Sequence, residues 1–176
     1  MPFKPDTYPS VAPYLVVDGA QATLHFLVTV FDAVPLRLHP GAHGRLGHAE
    51  VRIDDTVVML GDAMPGWPAV PAHVHVYVAD VEAVWARAIR AGATPVKAPV
   101  QGEDGDRRGG FTDAGGHDMV GQHPTGLSGS RRRTRRGQVR RRAARRIRLR
   151  AAARIEAVAS WRTDAIDDVA HPGSTC

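Results

Sequence analysis

Two pairs of residues with metal-binding or proton-transfer chemistry each stand two positions apart in the sequence. His48 and Glu50 form the first pair, and His73 and His75 form the second. Both pairs lie in segments with strand periodicity, where residues i and i+2 point to the same face. Imidazole and carboxylate groups bind divalent transition metals, and three protein ligands with one open position are typical of a catalytic metal. Convergence of the pairs would form a metal site, with His73 and His75 as the candidate ligands.

The same side chains also fit a site that binds a small molecule without a metal. We expect His48, Glu50, His75 and Tyr77 to line such a site, where the imidazoles hydrogen-bond their neighbours. Tyr77 either stacks on a ligand or covers the core. Glu50 is the candidate catalytic residue, a general base if burial raises its pKa, and otherwise an exposed strand glutamate. Arg52 is expected to neutralise its charge.

Composition narrows the class of protein. The 176 residues are 43% hydrophobic, which is enough for a domain with a buried core. Cys176 is the only cysteine, which excludes an intrachain disulfide, a redox pair and a multi-cysteine zinc site. The sequence has no run of about 18 apolar residues and no signal-peptide pattern at its start. We therefore expect a cytoplasmic protein without a membrane span.

Hydrophobic periodicity predicts the elements that carry these residues. The first unit is predicted as a strand over 11–17, a helix over 20–31, and a hairpin of strands over 48–53 and 56–60. Consecutive β-branched residues at 28–30 lower the helix propensity, but Leu24, Leu27 and Phe31 recur on one helical face. The periodicity therefore favours the helix.

A second unit follows a proline-rich linker over 62–72, in which Trp67 either closes over the site or anchors the loop. Its predicted elements are a strand over 73–78, a helix over 81–91, and strands over 94–98, 109–113 and 118–122. Asp80 is placed to cap the helix, and Gly92 to end it. The strand-and-helix order of the first unit thus recurs roughly sixty residues later.

Short motifs carry a specific resemblance. They are Pro13-Tyr-Leu-Val-Val-Asp18, Gly47-His-Ala-Glu50, Val57-Val-Met-Leu60, His75-Val-Tyr-Val-Ala-Asp-Val81, Ala91-Gly-Ala93 and Gly105-Asp-Arg107. In this order, over roughly residues 3–123, they resemble the PhnB-like, glyoxalase/bleomycin-resistance-type branch of the vicinal oxygen chelate superfamily.

The resemblance implies an α+β fold of paired βαβββ modules that form a concave cup. The modules are expected over about 10–62 and 73–123, within a domain of residues 1–126. The resemblance also implies a small-molecule ligand and a homodimer. It leaves two activities open, a lyase or dioxygenase that uses a divalent metal, and metal-free sequestration of an antibiotic.

The family's four metal positions fall approximately on Ala12, Met59, His73 and Val120. Neutral imidazole suits such an ion, whereas alanine and valine have no donor atom and methionine is a soft, weak ligand. Only His73 is therefore a good ligand, and the glyoxalase metal site is not reproduced at these positions.

The C-terminal fifty residues differ in charge from the rest of the chain. Residues 1–126 have a net charge of −5 and residues 127–176 a net charge of +10, with twelve arginines in 131–150. Three interpretations stay open: a basic extension that binds nucleic acid, a helix that docks on the acidic domain, and a frame-shifted, non-native C-terminus of a GC-rich gene. The family pattern decays just before this tail, which favours the third.

Overall fold

Residues 3–124 are described by the structure, a computed structural model. The elements are β1 (Tyr14–Val17), α1 (Ala20–Phe31), β2 (Val34–Pro40), a short 3-10 helix (Ala42–Gly44), β3 (Leu46–Ile53), β4 (Thr56–Asp62), β5 (His73–Tyr77), α2 (Val81–Arg90), β6 (Thr94–Gln101), β7 (Asp106–Thr112) and β8 (Asp118–Pro124). The basic tail over 127–176 lies outside the described residues, so the three interpretations of it stay predictions.

The strands form two sheets of the same topology. The first sheet has the order β1-β4-β3-β2, and the second has the order β5-β8-β7-β6. In each unit the first strand pairs in parallel with the last, and all other pairs are antiparallel. The parallel pair requires a long crossover, which each unit makes through its helix and middle strands. The predicted α+β fold of two βαβββ units is confirmed.

Apolar side chains from α1 and from the middle strands of the first sheet form the centre of the core. All are at most 2% exposed: Leu24, Leu27, Val30, Ala49, Val51 and Leu60. Burying a side chain of the size of leucine or valine stabilises a fold by about 1.5–3 kcal/mol. This burial outweighs the low helix propensity of the β-branched residues in α1, and the helix over 20–31 is confirmed at its predicted bounds.

Strand β2 is absent from the predicted elements because Pro35 and Pro40 each remove a backbone donor. The strand lies at the edge of the first sheet, where one side of the backbone needs no partner and proline is tolerated. Its pairing with β3 shifts register beside both prolines.

The predicted strand over 11–17 is too long, since β1 begins at Tyr14 and Val11 is exposed.

The two helices begin in different ways. Asp80 caps α2 as predicted, because its side chain accepts a hydrogen bond from the Ala83 backbone N–H at 2.9 Å. Gly92, at φ 92°, follows the end of α2. Helix α1 has no side-chain cap of its own, since its N-cap is Gly19.

No helix within residues 3–124 is long and apolar enough to cross a membrane.

Asp62, the last residue of β4, supplies the missing cap of α1. Its Oδ1 accepts hydrogen bonds from the backbone N–H groups of Gly19 and Ala20, both at 2.9 Å. Its Oδ2 accepts one from the Leu46 N–H at 2.6 Å. One carboxylate therefore joins the start of α1 and the start of β3 to the end of β4.

We expect Asp62→Ala to lower the free energy of unfolding by about 2 kcal/mol, because three backbone donors lose a charged acceptor. Asp18→Ala is the matched control. The Asp18 side chain lies beside the same helix start but is mostly exposed. We expect Asp18→Ala to lower the free energy of unfolding by less than about 0.5 kcal/mol. Chemical denaturation of both variants measures the difference, and equal losses would contradict this role of Asp62.

Candidate functional site

Polar and aromatic side chains cover the face of the first sheet that lies opposite α1. Ala49 and Val51 of β3 are buried in the core. The alternation of a strand therefore turns His48, Glu50 and Arg52 to the other side. We call this side the open face of the first sheet.

Glu50 is a buried carboxylate on the open face, with 5% of its surface exposed. The Tyr8 hydroxyl donates a hydrogen bond to Glu50 Oε2, and Arg37 Nε lies 3.6 Å from the same oxygen. His48 Nε2 lies 3.3 Å from Glu50 Oε1. Both carboxylate oxygens therefore have partners, as a buried charge requires.

The pKa of Glu50 lies below its ordinary value. Desolvation raises this pKa, but the hydrogen bonds from Tyr8 and His48, together with the charge of Arg37, lower it by more. The condition for Glu50 as a general base, a pKa raised by burial, is therefore not met, and the alternative of an exposed strand glutamate is wrong because the carboxyl group is buried. An ionised carboxylate of low basicity is suited to hold a ligand by hydrogen bonds rather than to remove a proton at neutral pH.

Residues 3–12, which we call the N-terminal strap, contact the open face through Thr7 and Tyr8. Arg52 Nη1 donates to the Thr7 carbonyl oxygen at 2.8 Å, and Arg52 Nη2 donates to Thr7 Oγ1 at 3.2 Å. The guanidinium carbons of Arg37 and Arg52 lie 5.9 and 5.8 Å from the centre of the Tyr8 ring, within cation–π range. Arg52 thus holds the strap, and Arg37 takes the predicted role of Arg52 as the charge partner of Glu50.

Four rings form a continuous patch beside Glu50, which we call the aromatic wall: Tyr14, His39, His48 and Trp67. The His48 ring centre lies 5.6 Å from that of Tyr14 and 5.9 Å from that of His39. Trp67 meets the Tyr14 ring edge-on at 6.1 Å. Tyr14 is 41% exposed and Trp67 59% exposed. Two large rings of the wall are therefore open to a ligand.

A hydrogen-bonded chain links the aromatic wall to Glu50. The Tyr14 hydroxyl lies 3.2 Å from His48 Nδ1, on the other side of the ring from Glu50. Because a carboxylate only accepts, His48 Nε2 donates to Glu50, and Nδ1 contacts the Tyr14 hydroxyl. The chain Tyr14–His48–Glu50–Tyr8 thus fixes the orientation of the imidazole.

The other candidate residues lie on the second sheet. His73, His75 and Tyr77 alternate along β5 and are exposed. His73 Nδ1 lies 3.5 Å from Asp118 Oδ2, and the His73 side chain is 84% exposed. Within residues 3–124, no three His, Cys, Asp or Glu side chains come together as a metal site. The predicted convergence of the two pairs is not found in this part of the chain: His48 and Glu50 lie on β3 of the first sheet, and His73 and His75 lie on β5 of the second.

Three of the family's four metal positions, Ala12, Met59 and Val120, have no side chain that suits the metal. Met59 pairs with Glu50 and with Tyr14 in the first sheet, and Val120 pairs with His75 in the second. Neither thioether nor alkyl side chains suit a hard or borderline divalent ion. The donor set present does not fit the metal implied by the family. Binding of a metal by His73 and His75 stays a prediction.

Four residues of the site are not among the predicted site residues: Tyr8, Tyr14, Arg37 and His39. Tyr8 lies between Pro5 and Pro9, in a segment without periodicity. Arg37 and His39 lie on β2, the strand that was not predicted, where they pair with Glu50 and His48. Recognising β2 as a third strand beside the hairpin would have placed both on the open face.

Comparisons with known proteins agree with this architecture. The model of the Glyoxalase/Bleomycin resistance protein/Dioxygenase superfamily matches residues 9–120. An uncharacterized protein of Mycobacterium bovis is 40% identical over 120 residues, which cover 62% of this chain and 79% of that protein.

Two solved structures share the fold. TioX from Micromonospora sp. ML1 has a TM-score of 0.55 at 23% identity, with coverage of 72% of this chain and 100% of that one. TnmS3, an antibiotic binding protein from Streptomyces sp. CB03234, has a TM-score of 0.53 at 25% identity, with coverage of 66% and 97%.

The Tyr8–Glu50 hydrogen bond predicts a dependence of stability on pH. The pKa of Glu50 is lower in the folded protein than in the unfolded chain. The ionised Glu50 therefore stabilises the fold at pH values above the unfolded pKa, and this contribution is lost as the pH falls through the folded pKa. We expect Tyr8→Phe to cost about 1 kcal/mol at neutral pH and progressively less in acid, where the protonated carboxyl is a weaker acceptor. Unfolding of wild type and variant across this range measures it, and a pH-independent difference would contradict it.

Proposed function

The chain belongs to the Glyoxalase/Bleomycin resistance protein/Dioxygenase superfamily, and from this premise we propose that it binds a flat aromatic molecule on the open face of its first sheet, without a metal. The resemblance drawn from the sequence motifs is thereby confirmed at the level of the superfamily. The proposal concerns the ligand and the site.

The observation that carries the proposal is the aromatic wall beside a buried, ionised carboxylate. Binding sites for small molecules combine apolar and aromatic surface with a few polar groups that fix the orientation of the ligand. Here Tyr14 and Trp67 present exposed rings for stacking, and Glu50 and His48 supply the polar groups. Large exposed rings grouped at one place are uncommon on a surface that contacts only water.

The proposed mechanism is sequestration. A flat ligand stacks on the exposed Trp67 ring and meets the Tyr14 ring edge-on, because the two rings stand at 75° to each other. Its donor group hydrogen-bonds to Glu50 where the Tyr8 hydroxyl otherwise donates. The hydrogen bond between Tyr14 and His48 holds the imidazole in place before the ligand arrives, which lowers the entropic cost of binding. The same fold in TnmS3, an antibiotic binding protein, supports this class of function.

A metal-dependent lyase or dioxygenase is the alternative within the superfamily. No observation favours it, since the donor set described above does not fit a divalent ion. Glu50 in this proposal is a ligand-binding residue, and its lowered pKa makes it a poor general base.

The second sheet provides the proposed dimer contact. Tyr77 is 69% exposed on β5, an edge strand of that sheet, beside the exposed His75. An aromatic side chain on an exposed sheet edge suits a protein contact, and we propose that a second copy of the chain covers it. Sedimentation equilibrium of the wild type and Tyr77→Ser tests this, and a monomeric wild type at micromolar concentration would contradict it.

Trp67→Ala should weaken the binding of flat aromatic probes about 5- to 30-fold, because one stacking surface is lost. Naphthalene and quinoline derivatives serve as probes, and titration calorimetry gives the affinity. Val70→Ala is the matched control, since Val70 is 60% exposed on the same linker and outside the aromatic wall. An equal effect of the two substitutions, or no binding by the wild type, would overturn the proposed site.

Binding should not depend on a metal. We expect the purified protein to contain much less than one equivalent of metal, and a chelator to leave the affinity for these probes unchanged. Elemental analysis of the wild type beside His73→Ala makes the comparison. One bound metal per chain that disappears in His73→Ala would contradict the proposal and would establish the enzyme alternative as the one to pursue.

A further inference from the structure

The Tyr8 side chain fills the polar end of the proposed binding site. Its hydroxyl donates to Glu50, and its ring lies within cation–π range of Arg37 and Arg52. Tyr8 precedes residues 9–120, which the family model matches, so this contact comes from a part of the chain outside the match. The contact thus shows one chemical group that fits beside Glu50, a phenol.

We propose that Tyr8 is an intramolecular ligand of the Glu50 site, and that hydroxylated aromatic molecules bind there by replacing its phenol group. This inference rests on the proposed function and names the ligand class and the regulation of that same site. The strap acts as a competitor whose removal exposes the site.

The chemistry of the site selects a phenol over a plain aromatic ring. Glu50 is 5% exposed, and loss of the Tyr8 hydroxyl would leave Oε2 with only Arg37 at 3.6 Å. A ligand without a hydroxyl therefore leaves Glu50 Oε2 without a hydrogen bond from the ligand, whereas a phenol replaces the bond from Tyr8. The two guanidinium groups favour an electron-rich ring.

The strap is held by few contacts and is strained. Residues 3–12 contain no strand and pair with neither sheet. Within the described chain, the hydrogen bonds that join the strap to other segments come from Thr7 and Tyr8 alone. Thr7 has φ 71°, a left-handed conformation that is unfavourable for a β-branched residue. Phe3 and Val11, towards its two ends, are 89% and 82% exposed. Release of the strap relieves the strain at Thr7 and breaks few interactions.

An intramolecular competitor raises the apparent dissociation constant of a ligand by the inverse of the fraction of open sites. Removing the Tyr8 side chain should therefore tighten the binding of a phenol, although it removes a group that lies in the site. A residue that merely contributes to the ligand contact would give the opposite result.

The test uses the full chain and p-cresol, which is the tyrosine side chain as a free molecule, with toluene as the matched compound that lacks the hydroxyl. We expect Tyr8→Ala to bind p-cresol at least about tenfold more tightly than the wild type does. Toluene should bind Tyr8→Ala at least about tenfold more weakly than p-cresol does. NMR shifts of the backbone amides of residues 48–52 give the affinities and place the ligand.

Two further variants keep the test decisive. Adding Glu50→Gln to Tyr8→Ala should remove the preference for p-cresol over toluene, because the charged acceptor is lost. If Tyr8→Ala does not fold, Tyr8→Phe retains the ring and removes only the hydrogen bond. It should then bind p-cresol about threefold more tightly than the wild type.

Equal affinities of wild type and Tyr8→Ala for p-cresol, or equal affinities of Tyr8→Ala for p-cresol and toluene, would overturn the inference. The proposed function fails separately, since it is tested by Trp67→Ala with larger rings. Binding of those rings without any effect of Tyr8 would leave the aromatic wall as the ligand site and exclude the strap as its competitor.

Discussion

Glu50 is a buried carboxylate with a lowered pKa, so the structure around it has to supply hydrogen-bond donors and positive charge. Each donor comes from a different element: Tyr8 from the strap, Arg37 from the edge strand β2, and His48 from β3 itself. Removal of any one of them would leave part of this charge uncompensated. The need to pair Glu50 therefore couples the strap, the edge strand and the imidazole into one arrangement.

The absence of a side chain at Gly61 leaves room for the Tyr14 hydroxyl on the open face. A Cβ atom on Gly61 would lie 2.7 Å from the Gly47 carbonyl oxygen and 2.8 Å from the Tyr14 hydroxyl. Glycine at this position of β4 lets the Tyr14 hydroxyl lie over the sheet, where it reaches His48. On the far side of the sheet, Leu60 and Val51 pack into the core. The two faces of the same strands thus serve separate purposes, stability on one side and ligand binding on the other.

Local pattern predicted most of the fold but only part of the site. Periodicity identified both helices and the β3–β4 hairpin, because each has one face in the core. The i and i+2 spacing correctly placed His48 beside Glu50, since that relation is local. Strand β2 escaped prediction because prolines obscure an edge strand, and Arg37 was missed with it. The contact of Tyr8 with Glu50 spans 42 residues and leaves no mark in the local sequence. The convergence of His73 with His48 was expected from the strand spacing and the implied cup, but it depends on how two separate sheets are placed, and no such cluster forms within residues 3–124.

Titration of the Glu50 carboxyl carbon by 13C NMR, in the wild type and in Tyr8→Phe, measures how far the tyrosine hydroxyl stabilises the buried charge. We predict a pKa below the ordinary glutamate range in the wild type, and a higher pKa in the variant, because the hydroxyl that stabilises the charged form is gone. A wild-type pKa at or above the ordinary value, or one that Tyr8→Phe leaves unchanged, would contradict it. In that case the strap would not be in contact with Glu50, and the open face would lack its charged anchor.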